Sequence, residues 1–194
     1  MLEWNATVVK RKKKWLKLPS TAVCRLAVST RGSQLLEFAF VLPILAVLAV
    51  AVGDFGAGFV LRDKLTNAAR EGARIAINQP KTDLTQPNPQ TVQGVRDAVV
   101  SYLNNSGAPA TLSSTNPCAT GMFSWTYCLT NGGQIQIERQ HVVNVGGTLV
   151  LCTRVGISYP YSWTLGRAIR LIAPSSSFGN MLTLSTRSTM KNIT

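Results

Sequence analysis

Residues 35–61 read LLEFAFVLPILAVLAVAVGDFGAGFVL, an apolar run whose only ionisable groups are Glu37 and Asp54. About 20 apolar residues carry a helix across a hydrocarbon core of ~30 Å, so this run is long enough to span a bilayer. A chain of 194 residues then has room for one modest domain beside the span. A carboxylate placed near the start of such a span is costly in lipid, and it marks a partner or a role. The glycine at position 32, five residues before Glu37, indicates which role.

The net charge of +12 is unevenly distributed. Lys10, Arg11, Lys12, Lys13, Lys14, Lys17, Arg25 and Arg31 face Glu3 alone in the stretch before the span. Basic residues beside a span favour retention in the cytoplasm, which predicts the N-terminus inside and most of the chain outside. Lys/Arg runs also form nucleic-acid-binding arms. Here the run lies just upstream of a span, and no basic stripe interleaved with aromatics follows, so no nucleic-acid partner is predicted. A secretory signal peptide cut near Gly53, after the small residues 49–52, is the sharper rival. Against it stand the long leader and a helical pattern that continues past the span.

Cys24 precedes the span, whereas Cys118, Cys128 and Cys152 follow it, in a part predicted to be exported, where disulfides persist. Three cysteines allow three single pairings, and the sequence does not settle among them. The reading favours Cys118–Cys128, which brackets a Gly-, Thr- and aromatic-rich loop, with Cys152 free or exchanged for one of the two. No CxxC occurs and His141 is the only histidine, so no metal site is predicted.

Beyond the span, Leu61, Leu65, Ala68, Ala69, Gly72, Ala73 and Ala76 recur at helical spacing. One helix from about Gln34 to Ile77 is predicted, apolar all round at first and amphipathic later. The small residues on its stripe permit close approach by another helix or a sheet. Asn78-Gln79-Pro80 ends it, and a Pro-rich loop follows. Val92, Val95, Ala98, Val99, Tyr102 and Leu103 predict a second helix, stopped at Asn104-Asn105-Ser106-Gly107. Residues 108–133 read as a long exposed loop.

The period then changes to two. Gln134-Ile135-Gln136-Ile137-Glu138 alternates. Leu149, Leu151, Thr153, Val155, Ile157 and Tyr159 share a face of a second strand, and Leu182, Leu184 and Met190 line a third. A short helical turn is expected over 165–173. The fold class is therefore α+β: a single-span protein whose long N-terminal helix continues out of the membrane, with a small antiparallel sheet outside. Residues 1–32 form a basic cytoplasmic leader, 33–77 the helix, and 78–194 the extracytoplasmic domain.

Arg31-Gly32-Ser33-Gln34-Leu35-Leu36-Glu37-Phe38 resembles the cleavage site of type IV pilin-like precursors. The resemblance implies that a membrane prepilin peptidase cuts between Gly32 and Ser33, leaving Glu37 fifth in the mature chain. Residues 37–43, Asp54-Phe55-Gly56 and Asn67-Ala68-Ala69-Arg70-Glu71-Gly72-Ala73-Arg74 extend it, and together they look like the TadE-like pseudopilins of the tight-adherence (Flp) pilus machinery. Ser158-Tyr159-Pro160-Tyr161 and Ser188-Thr189-Met190-Lys191 look like that family's closing strands. Major Flp pilins are shorter and often carry tyrosine where Phe38 stands. Type II secretion pseudopilins usually have phenylalanine where Ser33 stands, and TadG-like proteins lack a clear glutamate at position 37. The resemblance implies other pilin-like subunits and a pilus assembly platform as partners, with Glu37 and Phe38 as assembly contacts.

Other features have plain readings. Pro43 is a tolerated membrane proline or a kink, Asp54 an interface-level charge, and Arg70, Glu71 and Arg74 a solvated face with i,i+3 pairs or an intersubunit contact. HExxH, GxSxG and P-loop motifs are missing, so no enzyme and no cofactor are predicted. The alternative function is a bitopic membrane protein with an extracytoplasmic binding domain unrelated to pili.

Overall fold

The structure, a computed structural model, describes residues 30–164, Gly166 and 182–192. The chain divides into two compact units, Met1–Leu45 and Ala46–Thr194. In the first unit the described residues form the opening of helix α1 (Thr30–Ile77), with Leu35 73% and Phe40 71% exposed. The apolar stretch of α1 is long and hydrophobic enough to cross a membrane, and its most apolar window has none of its residues buried. The helix runs through Pro43, which can donate no bond to the carbonyl one turn back. The leader with Cys24 and most of the turn expected over 165–173 lie outside the described residues.

The second unit holds two layers. One layer is the rest of α1 with α2 (Gln90–Asn105). The other is a five-stranded antiparallel meander in the order β1 (Ala119–Gly121), β2 (Ser124–Cys128), β3 (Gln134–Val145), β4 (Thr148–Tyr161) and β5 (Leu182–Lys191). The small stripe of α1 is what lets the layers meet. Leu65, Ala68, Ala69, Ala73 and Ala76 are buried in one core with Val92, Val95, Val99 and Leu103 of α2 and with Ile135, Ile137, Val155 and Ile157 of the sheet. A Cβ at Gly72 would stand 2.5 Å from Val99 Cγ2 and 3.3 Å from Val155 Cγ1, so only glycine admits both neighbours at that separation.

Two reciprocal contacts fix the joint between the helices. Arg139 of β3, wholly buried, donates from Nη2 to the carbonyl of Gln79 at 3.0 Å, just past the end of α1. Asp83 accepts from Thr91 N at 3.0 Å and Thr91 Oγ1 at 2.6 Å, and so satisfies a free amide in the first turn of α2. A cation at a helix C-terminus and an anion at a helix N-terminus both complement the helix dipoles. At the far end of α2, Ser106 caps and Gly107 takes φ +77°.

Three expectations are corrected. The sheet has five strands rather than three, and β3 and β4 are long. Residues 108–133 are not a mere exposed loop: β1 and β2 lie there, and Trp125 and Tyr127 of β2 are buried. Alternation within Ser124–Cys128 turns these two rings inward against α2 and the loop before it, with Arg96 of α2 stacked 5.0 Å from the Tyr127 ring centre. Finally, Leu149 and Leu151 share the inner face of β4 but are exposed, because that face outruns its cover. Val155 lies beside Gly72, and α1 ends five residues later, roughly 8 Å further on. β4 reaches back from Val155 to Thr148, roughly 23 Å. A bulge in β3 between Glu138 and His141, with Gln140 at φ +60°, shifts the inward parity from Ile137 and Arg139 to Val142. Val142 thereby joins Leu149 and Leu151 on the uncovered extension.

Candidate functional site

The segment singled out by sequence lies in the opening described residues of α1, and the Gly32–Ser33 peptide bond is within the helix. Gly32 costs about 1 kcal/mol of helix propensity relative to alanine.

Glu37 and Phe38 stand on the exposed surface of α1, Phe38 at 58%. Among the described residues, Glu37 makes no hydrogen bond or ion pair. Glu37 is four residues after Ser33, so both fall on one face about 6 Å apart along the axis.

Cys118 and Cys128 form a disulfide with their Cα atoms 5.9 Å apart, while Cys152 is free and buried. The bridge ties the end of β2 to the residue before β1. Around it, Arg96 Nη1 donates to Thr115 O at 2.5 Å, Tyr127 Oη donates to Asn88 Oδ1 at 2.8 Å, and Asn88 donates to Asn116 Oδ1 at 3.0 Å. Burial, only partly opposed by the Arg96 charge, raises the Tyr127 phenol above its ordinary value and keeps it a donor.

Glu71 and Arg74 pair at 2.6 Å on the solvent side of α1, and Arg70 is exposed. Their mutual hydrogen bond holds the Glu71 carboxyl low and the Arg74 guanidinium high. His141 lies on the outer face of the sheet beside Arg154, with Glu138 Oε2 3.3 Å from its Nδ1.

Sequence reading named Asp54 as an interface-level charge and missed the aromatic cluster beside it. Asp54 is buried, and its carbonyl accepts the Tyr161 hydroxyl at 3.0 Å. Phe55 meets Trp163 edge-on at 5.1 Å, and Tyr161 meets Trp163 at 5.7 Å. Burial first, and the Asp54 charge second, raise the Tyr161 phenol. Aromatics stand at both ends of this cluster, Phe55 and Phe59 on α1 and Tyr161 and Trp163 at and just past the end of β4, but nothing in the sequence pairs them.

A long helix, apolar at its start and laid by a small-residue stripe against an antiparallel sheet, defines an α+β protein with one candidate membrane span. The family model for TadE-like proteins matches residues 32–74, the candidate span and the small-residue stripe together. No curated protein and no solved structure matches the chain.

Proposed function

We propose that the chain is a minor pilin or pseudopilin of a Flp-type pilus, inserted with its N-terminus in the cytoplasm and its head outside. A prepilin peptidase cuts between Gly32 and Ser33, and the mature helix joins those of other pilin-like subunits at the assembly platform. The observation that carries this reading is the placement of Gly32 and Glu37 at the opening of the matched segment 32–74, on the basic side of the span.

The chemistry follows from the helix. Cleavage creates an α-ammonium at Ser33, one turn below Glu37 on the same face. Burying either charge alone in a helical bundle is costly, and pairing them, within one chain or between neighbours, offsets that cost. Phe38 and the exposed apolar residues beyond it supply the packing surface between helices. The Cys118–Cys128 bridge stabilises the exported head. The chain is thus a peptidase substrate and a structural component, acting without cofactor or bond-making of its own.

The test is a Glu37 series in the native host. Glu37→Ala leaves processing largely intact and impairs assembly, scored as loss of the chain from sheared pili or from co-purified platform proteins, whereas Glu37→Asp retains part of both. Normal assembly by Glu37→Ala would refute the pairing.

A further inference from the structure

A groove of about 200 Å³ opens at the base of the head, between α1 and the paired ends of β4 and β5. Its walls are the rings of Phe55, Phe59, Tyr161 and Trp163, its helix side includes Gly58, and Arg62 is the charged residue that lines it among the described residues. It is smaller than the roughly 300–1,000 Å³ of a pocket that encloses a soluble small molecule, and it is open along one side. It therefore suits part of a long apolar molecule.

Its depth identifies that molecule. Counting about 20 residues from Leu35 ends the hydrocarbon core near Asp54. Phe55 and Phe59 then stand at the interface, with Tyr161 and Trp163 pinned beside them by the Asp54 carbonyl and the edge-on ring contacts. Tyr and Trp favour this level, where one end of the ring is apolar and the other wet. Arg62 lies seven residues beyond Phe55, roughly 10 Å along the helix. Its long stem can run along apolar surface and place the guanidinium at phosphate height, where it binds phosphate oxygens through paired N–H groups. The groove is also continuous with the exposed span, in which Val52 is 73% and Phe59 66% exposed.

We propose that this groove is a phospholipid site: the upper acyl segment of a lipid from the leaflet at the C-terminal exit of the span lies among Phe55, Phe59 and Trp163, and its phosphate meets Arg62. The site rests on residues 35–54 spanning the bilayer, and it is independent of cleavage at Gly32. Lipid held here would fix the height of the head above the bilayer.

The test is native mass spectrometry of the full chain purified from membranes in mild detergent, after washing the membranes with alkaline carbonate. Wild type is expected to retain one phospholipid. A Cβ at Gly58 would lie 3.8 Å from Tyr161 Cε1, so Gly58→Leu grows into the groove without a backbone clash and should reduce retained lipid about tenfold. Arg62→Glu should do the same by charge repulsion. Gly56→Leu, where an added Cβ meets nothing within 4 Å, should retain lipid like wild type and controls for helix effects. An unchanged Cys118–Cys128 bridge and an unchanged melting temperature certify the head in each variant. Equal lipid on wild type and Gly58→Leu, or equal loss in Gly56→Leu, would overturn the site, as would a lipid-free wild type with a second copy on this face. Release of the chain by carbonate would overturn the span and the site together, whereas an embedded but unprocessed chain that retains lipid would overturn only the pilin reading.

Discussion

Gly72 of α1 faces Val99 of α2 across a gap that a single methyl group closes, since a Cβ at Gly72 would sit 2.5 Å from Val99 Cγ2. Gly72 lies inside the segment that matches the TadE-like family, and it is the point at which the continuation of the span is bolted to the head. Val99 is β-branched and buried, so it has little rotamer freedom with which to yield.

That relationship gives paired predictions of opposite sign. In an exposed helix interior, Gly→Ala stabilises by about 0.5–1 kcal/mol. Gly94 of α2 has open space around its missing Cβ, so Gly94→Ala should raise the melting temperature by a few degrees. Gly72→Ala should lower it, because overpacking of about 1–3 kcal/mol outweighs the helix gain, and Gly72→Val should lower it further. Thermal unfolding followed by circular dichroism in detergent reads both. Stabilisation by Gly72→Ala would contradict the packing described.

The Asp83 cap sets an acid limit on the head. Burial pushes the carboxyl upward, but the two bonds from Thr91 and the charge of Arg139 outweigh it and hold it below its ordinary value. A carboxyl lowered in the folded state contributes stability that is fully present above the unfolded value, about 3.9, and is lost as pH falls through the lower folded value. Asp83→Ala should cost about 1 kcal/mol at neutral pH, the usual worth of a helix N-terminal acceptor, and much less near pH 2. Denaturant melts of the two proteins across pH 2–7 should converge at the acid end. A constant difference across that range would refute the assignment.

Reduction should loosen the head at one end only. Closing the short loop between Cys118 and Cys128 contributes about 2–3 kcal/mol by the chain-entropy estimate. Dithiothreitol, or Cys118→Ser with Cys128→Ser, should lower the melting temperature and speed amide exchange in β1 and β2. Exchange in α1 and β4 should hardly change. Loss of protection throughout the sheet would show that the bridge sustains the whole fold.

The sequence announced the elements whose pattern is long. The apolar run and the small stripe specify α1 to Ile77, and the apolar face of α2 from Val92 to Leu103 repeats through about three turns. The β2 strand was hidden because its alternation is only five residues long within a Ser-, Thr- and Gly-rich stretch. Trp125, Tyr127 and Leu129 do alternate there, and all three are buried. Arg139 was invisible as a core residue because arginine is almost never fully buried without partners; its place is set by the carbonyl end of α1, which only the tertiary structure supplies. Leu149 and Leu151 read as core by alternation, yet their exposure depends on where α1 stops relative to β4. Gly32, Ser33, Glu37 and Phe38 were singled out by position and spacing, and their roles belong to the proposed function. The groove between Phe55 and Trp163 was not legible, because it joins residues more than a hundred positions apart.

The central claim is that Glu37 at the entrance of the span pairs with an amino terminus created by cleavage. The most direct measurement is the intact mass and N-terminal sequence of the chain isolated from the membranes of its own host. The account predicts a mature chain beginning at Ser33. A chain that still carries residues upstream of Gly32 while the prepilin peptidase is present and active would contradict it.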